Sequence, residues 1–394
     1  MKNILFRSVC VYIFGIFCYM TYANDTSMTT RLDNRMQCYH KRGAFSGSVL
    51  VAKDGIVLLS KGYGMADYAR KIANTPQTKF RIGSITKQFT ALAIMQLRQQ
   101  GLLDIHDPLS KYIPDYPSGD QITIHHLLTH TSGIPNYTSL AHCEKNKAQW
   151  RSIDRLINTF KKRRLEFKPG AQYKYSNSGY VLLTYIIEQV SGQPYATYVQ
   201  QHIFEPAGML NTGYDTGGPR TADKACGYKV EHRHLAYADR VDMSYYAGAG
   251  ALFSTVEDLY LWDRALHSNK LVSYDILDTI FTPWIRTPDC NQKNGYGYGY
   301  GWRIGDPNQK HPVVGHGGGI EGFSTTIRRF PNDDLCIILL SNVRTFQIVQ
   351  KISQDLAAIV LGEKKKICKK TCKQCAMKRK KCKHRKLRTR CNKL

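Results

Sequence analysis

The sequence predicts an α/β fold, an antiparallel sheet flanked by helices with an inserted all-α subdomain. Three observations carry this reading. Two β-rich runs, 47–52 and 56–60, meet at Lys53-Asp54-Gly55, and Asp-Gly suits the tight turn of a hairpin. Four further β-rich runs lie far along the chain, at 296–304, 313–316, 323–330 and 335–341. Between the two groups, residues 107–225 carry helical stretches punctuated by Pro and Gly. The sheet is therefore built from both ends of the chain, and the helical insertion lies to one side.

The elements follow in order. Residues 1–23 read as a secretory signal: Lys2 and Arg7 supply positive charge, 9–22 is apolar, and Thr21-Tyr22-Ala23 suits a signal peptidase. Mature protein then starts at Asn24, in a secreted or periplasmic location. An uncleaved anchor is the alternative, but its apolar run is shorter than the roughly 20 residues a spanning helix needs. The α/β domain takes residues 24–105 and 236–361, and the all-α subdomain takes 106–235. Within the first, the almost wholly apolar run 89–97 predicts a buried helix, stopped at Gly101 by the left-handed cap that glycine adopts freely. Helices are expected over 122–130, 150–162 and 180–190, then over 255–266 and 345–361.

Composition sets the broad class. The chain has 394 residues, 42% of them hydrophobic, which is enough for a large core and excludes disorder throughout. Its net charge is +26, but residues 362–394 alone hold 16 Lys or Arg against the single acid Glu363. Such a density of like charge cannot build a core, so this segment is expected to be a solvated tail that meets anionic surfaces such as lipopolysaccharide, phospholipid or another polyanion. It has no aromatic residue, which removes the stacking platforms of a single-strand nucleic-acid binder, so no specific nucleic-acid partner is expected.

Twelve cysteines divide into Cys10 and Cys18 in the signal, five in the body (Cys38, Cys143, Cys226, Cys290, Cys336) and five in the tail. Secretion favours disulfides, but each odd set leaves a free thiol or a bridge between the two regions. Cys372 and Cys375 have a zinc-ligand spacing near His384; without apolar support, disulfide or free thiol is the favoured reading.

Chemistry enters at Ser84-Ile85-Thr86-Lys87. Serine and lysine three apart share one helical face, pairing a nucleophile with a base. Burial lowers an ammonium pKa, so a neutral Lys87 could take the serine proton. A serine at a helix start is also commonly only a cap. Tyr175-Ser176-Asn177 sits in a loop before a helix: Tyr175 is a candidate base, and Asn177 can donate and accept, toward a substrate carbonyl or toward Lys87. His316-Gly317-Gly318-Gly319 follows an apolar pair, and three glycines in a strand argue for close approach of a ligand to the backbone, as an oxyanion hole requires. A plain glycine-rich turn is the alternative. His126 and His130 have the helical spacing of zinc ligands with His125 adjacent, but the glutamate of such metalloproteases is missing, so packing and hydrogen bonding are favoured over metal. No metal and no cofactor are expected.

Taken together and in this order, the three motifs resemble the serine β-lactamase and penicillin-binding protein superfamily, most closely its class C branch with the DD-peptidases and related esterases. The resemblance runs over roughly residues 40–361 and includes Leu127-Leu128-Thr129-His130-Thr131-Ser132-Gly133-Ile134, Ile203-Phe204-Glu205-Pro206-Ala207-Gly208-Met209 and Gly248-Ala249-Gly250-Ala251-Leu252-Phe253-Ser254-Thr255. It implies Ser84 as nucleophile, Lys87 as its proton partner and Tyr175 as general acid or base. It further implies Asn177 on the substrate amide, the backbone amides of Ser84 and Gly319 as the oxyanion hole, and His316 and Gly318 on the opposite wall near a substrate carboxylate. His316 stands where β-lactamases usually carry lysine. A histidine is mostly neutral at pH 7, so the expected acyl donor shifts from β-lactams to D-alanyl peptides or small esters and amides. A β-lactamase proper, or a non-catalytic cell-wall binder delivered by its basic tail, are the alternatives.

Overall fold

A computed structural model describes residues 27–149, 151–217, 221–232, 234–288 and 296–363. The signal segment, Cys290 and all but the first two residues of the basic tail lie outside them. Eight antiparallel strands form the main sheet: β1 (Gly47–Lys53), β2 (Ile56–Tyr63), β3 (Ile285–Thr287), β4 (Tyr296–Tyr298), β5 (Arg303–Ile304), β6 (Val314–Ile320), β7 (Phe323–Phe330) and β8 (Leu335–Ser341). Their spatial order is β3-β4-β5-β6-β7-β8-β1-β2, so the N-terminal hairpin adds to a C-terminal meander through β1 and β8. That hairpin turns where the sequence placed it, with Asp54 and Gly55 both at positive φ, 52° and 75°. Strand β8 is buried at every residue. Its run Leu-Cys-Ile-Ile-Leu-Leu lacks alternation because both of its faces are covered.

One face carries the principal core. Leu50, Ile338, Leu340 and Ile327 pack in one apolar cluster with helices α2 (Thr86–Gln99), α4 (Asn177–Ser191) and α5 (Val256–Ala265). Phe89 of α2 stands 4.4 Å from the Trp262 ring and 5.4 Å from Phe204. On the other face, α1 (27–41) runs beside β2 through Asp33, which accepts from Tyr63 and Lys61, and α6 (Phe346–Val360) lies over β6. Helix α3 (Ile124–Leu128) opens on a capping box in which Thr123 and His126 exchange hydrogen bonds with each other's backbone. The described residues up to Leu356 form one compact unit.

Several elements differ from the sequence reading. The stretch expected to be purely helical up to residue 235 contains the strands Gly213–Tyr214 and Tyr228–Glu231; the second pairs with His234–Tyr237. Val230 and Leu235 of that hairpin are exposed, so no buried face gave it a pattern to read. Strand β3 is three residues long, too short to show a period of two. Helix α1 buries chiefly Leu32 and Met36, a narrow stripe in an otherwise polar run. Among the described residues, Cys38, Cys143, Cys226 and Cys336 form no disulfide with one another, and Cys226 donates to Asp67.

The feature that positions the site is a backbone-to-backbone seam. Ser84 lies in the short 3-10 turn Gly83–Ile85 that opens α2, and this turn packs on β6. A methyl group at Gly318 would stand 1.9 Å from the Ile82 carbonyl oxygen, and one at Gly83 would stand 3.1 Å from the Gly319 nitrogen. Gly83 also sits at φ 54°, the left-handed region that glycine enters without penalty. Thr325 clamps the seam from β7 by donating to the Ile82 carbonyl at 2.8 Å. Gly318→Ala is therefore expected to push the serine turn off the strand. Its check is a melting temperature lowered by an amount typical of overpacking, about 1–3 kcal/mol, together with loss of activity out of proportion to the unfolded fraction.

Candidate active site

Ser84, Lys87, Tyr175, Asn177 and His316 are brought together by three separate parts of the chain: the α2 opening, the loop running into the start of α4, and β6. Lys87 is wholly buried. Its Nζ lies 2.7 Å from the Ala249 carbonyl oxygen, 2.8 Å from Asn177 Oδ1 and 3.2 Å from Ser84 Oγ. Burial pushes its pKa well below that of a free lysine. A neutral amine has two N–H bonds and one lone pair. Ala249 and Asn177 present only acceptors, so they take both N–H bonds and the lone pair is left facing the serine hydroxyl. Asn177 is held in turn, donating from Nδ2 to Thr138 Oγ1 at 3.1 Å. Both ends of its side chain are thus anchored within the protein, Oδ1 on Lys87 and one N–H of Nδ2 on Thr138.

The Ala249 carbonyl is a site group the sequence did not single out. It is delivered by the buried Ala247–Ala249 turn, whose Gly248 donates from its N–H to Thr184 and accepts at its carbonyl from Thr90, at 3.0 and 2.7 Å. A side chain at Gly248 would meet Thr184 Oγ1 at 2.3 Å. The resemblance phrase beginning at Gly248 was the available signal.

Tyr175 lies with its ring centroid 4.8 Å from Lys87 Nζ. Its hydroxyl oxygen is buried and has no hydrogen-bond partner among the described residues. Burial raises its pKa, and the neighbouring Ser84 offsets only part of that. Tyr175 at rest is a neutral phenol, and beside it Lys87 is the group that burial discharges.

His316 is buried, and both ring nitrogens are spoken for. Nδ1 lies 2.7 Å from the Gly317 carbonyl oxygen, which can only accept, so Nδ1 carries the proton. Nε2 is then the acceptor, taking the hydroxyl proton of Tyr298 at 3.1 Å. The Tyr298 oxygen accepts from His130 Nε2 at 3.1 Å, and His130 Nδ1 accepts from the Ser176 N–H at 3.3 Å. The sequence reading took His130 as a packing and hydrogen-bonding residue. This chain links the residue after Tyr175 to β6 across the cleft, and Tyr298 in it was not foreseen. Burial first, then the charge of Arg303, presses the His316 pKa down to about 3. His316 is therefore uncharged, as a histidine at this position was expected to be, and it lines the cleft with both ring nitrogens engaged within the protein.

Tyr298→Phe keeps the ring and removes the hydroxyl, leaving His130 Nε2–H without an acceptor. The expected cost is about 1–3 kcal/mol of stability. His316 should move to a higher pKa, because the Tyr298 hydroxyl favours its uncharged ring. The 15N shifts of His316, followed against pH, check this.

The missing positive charge stands elsewhere. Ser84, Tyr175, His316, Gly317 and Gly319 line one cavity of about 1110 Å³, and Arg303 of β5 lines it too. Gly319, the other expected oxyanion donor, is exposed, and a side chain there would meet nothing within 4 Å. Gly318 faces away, against Ile82, and serves the seam.

A protein-family model described as Beta-lactamase matches residues 29–358. PbpX of Bacillus subtilis (strain 168), a protein named for penicillin binding, is 37% identical over 255 residues, which are 65% of this chain and 63% of that protein. Penicillin-binding protein 4* of the same organism is 33% identical over 314 residues, 76% of this chain and 68% of that protein. The match to PbpX thus spans less than two thirds of that relative's length. Among solved structures, a penicillin binding protein from Bacillus halodurans is similar with a TM-score of 0.74 at 28% identity, covering 82% of this chain and 98% of that one.

Proposed function

This chain belongs to the beta-lactamase family, and on that premise we propose that it is a secreted serine hydrolase working through an acyl-enzyme on D-alanyl peptides or on small esters and amides. The observation that carries the proposal is the buried Lys87, whose two acceptors leave its lone pair to Ser84. In this reading Lys87 takes the Ser84 proton as Oγ bonds to the substrate carbonyl carbon. The resulting oxyanion is met by the backbone amides of Ser84 and Gly319. Tyr175, protonated at rest, gives its proton to the leaving atom as the carbonyl bond breaks, and the Lys87 ammonium then returns a proton to the phenolate. Water repeats the sequence on the acyl-enzyme and frees Ser84. The names of the two Bacillus relatives support covalent acylation of this kind.

Arg303 bears on the choice of substrate. The sequence argument against β-lactams rested on the uncharged His316, but a fixed cation in the same cavity suits a substrate carboxylate. A panel of a cephalosporin, a D-alanyl-D-alanine peptide and a short-chain nitrophenyl ester ranks the three classes by kcat/KM. The test of the reading itself is a fluorescent phosphonate followed by peptide mass mapping. The label is expected on Ser84; a label elsewhere, or none, overturns it.

For the tail we propose adhesion to anionic surfaces, supported by its 16 Lys or Arg. A chain ending at Leu361 is expected to keep turnover and to leave heparin at a lower salt concentration than the full chain.

A further inference from the structure

The cavity at Ser84 continues well past the reacting groups. Gly315, Gly317 and Gly319 alternate along β6, and their register partners on β7 are Arg328, Thr326 and Ser324. All six line the cavity. Because alternate strand residues share a face, the three glycines strip that face of side chains and leave a floor of backbone edged by two small hydroxyls. From Gly319 to Gly315 this floor runs about 13 Å at the usual rise per residue. One wall is the start of α6 with the residues before it: Arg344, Phe346, Gln347, Gln350 and Lys351. Phe346 lies directly on Gly317, where a side chain would meet its ring at 2.6 Å.

The charges of this groove have one sign. Arg303, Arg328, Arg344 and Lys351 line it, and no Asp or Glu does. Among the described residues, no side-chain hydrogen bond or ion pair engages Arg303, Arg344 or Lys351, whereas many other Lys and Arg of the fold are tied to carboxylates, Arg81 to Asp215 and Arg329 to Asp263 among them. A low-dielectric floor beneath unopposed cations concentrates a field that only an anionic ligand answers. Direction follows from Tyr175. The group that protonates the leaving atom must touch it, and Tyr175 lines this same cavity, so the groove beyond it receives the leaving group rather than the acyl part.

We propose that the groove along Gly319, Gly317 and Gly315 is a leaving-group subsite for acyl donors whose leaving group carries at least two anionic groups, carboxylate or phosphate, the nearer against Arg303 and the farther against Arg344 and Lys351. This rests on the acyl-enzyme reading above and extends it from a single terminal carboxylate to an extended polyanionic leaving group. Because the cations are partly open to water, the selectivity is electrostatic and weakens with salt.

The test uses N-acetyl-D-alanyl esters of ethanol, glycolate, malate and 2-hydroxyethyl phosphate, which add none, one and two carboxylates and one phosphate. Wild type is compared with an Arg344→Gln, Lys351→Gln double variant, so that the differing reactivity of the leaving groups cancels in the ratio of their kcat/KM values. That ratio is expected to be about three- to five-fold larger for the malate ester than for the ethyl ester. It should shrink in 0.5 M salt and return to near unity when both positions are changed to the opposite cation, Arg344→Lys and Lys351→Arg. The phosphate ester decides which anion is preferred. A ratio equal for all four esters overturns the subsite. If wild type turns over none of them, the acyl-enzyme reading is what fails, and the subsite is judged by calorimetry on Ser84→Ala: tighter binding of the malate or phosphate ester than of the ethyl ester sustains it, and equal binding overturns it.

Discussion

Ser84→Ala is expected to lower turnover of whichever substrate the panel selects by about ten-thousand-fold to a million-fold. The loss is this large because no second hydroxyl stands where Oγ does: Tyr175 is a neutral, buried phenol, and Lys87 has no path to the substrate except through the serine. What remains is catalysis by the oxyanion site and by binding alone. The fold should not notice. Ser84 is only half-buried and its hydroxyl meets Lys87 at 3.2 Å and the Tyr175 phenol, so stability is expected to stay within about 0.5 kcal/mol of wild type. Chemical unfolding and a circular dichroism spectrum check the second point, and burst kinetics with a nitrophenyl ester check the first. Activity above about one percent would transfer the nucleophile to another residue.

Lys87→Met is expected to cost about a hundred- to ten-thousand-fold in kcat, the range of a general base. The variant keeps the length and burial of the side chain, so what is lost is the lone pair. Its stability carries a second, independent signature. In wild type the folded-state pKa of Lys87 lies below its unfolded value, so between the two values the unfolded chain holds one more proton than the folded one. Wild-type stability therefore rises with pH across that window and falls toward its lower edge. Methionine has no such dependence. The stability of Lys87→Met minus that of wild type should decrease steadily as pH rises from 6 to 10, which denaturant midpoints at matched pH values would reveal. A difference that is flat with pH would mean that Lys87 is charged in the folded state, and the serine would need another base.

How far the chain could be read in advance depends on where each contact comes from. The hairpin at Asp54-Gly55, helix α2 and strands β7 and β8 were legible because local pattern and tertiary burial agree there. Ser84, Lys87, Tyr175 and Asn177 were legible because their chemistry is written in short words. What the words could not carry is which atom each group meets. That Asn177 spends both ends of its amide on Lys87 and Thr138 needs the packing of α2 against α4. That both ring nitrogens of His316 are engaged needs Tyr298, eighteen positions earlier, and His130 in the turn after α3. Arg303 was silent for the same reason: an arginine in a two-residue strand has no pattern, and only the register of β5 on β6 places it beside Gly315.

The seam between the serine turn and β6 has a consequence for how this site can change. Its two sides meet through main-chain atoms with the Thr325 hydroxyl closed over them, so position 318 has no room for a side chain and is closed to variation. One residue further along the strand the situation reverses: Gly319 faces open space, without positive φ. The same few ångströms of strand thus hold a position that inheritance must keep and one that it is free to explore. New substrate preferences in descendants of this protein would enter through 319, where a side chain can reach into the cleft without moving the nucleophile.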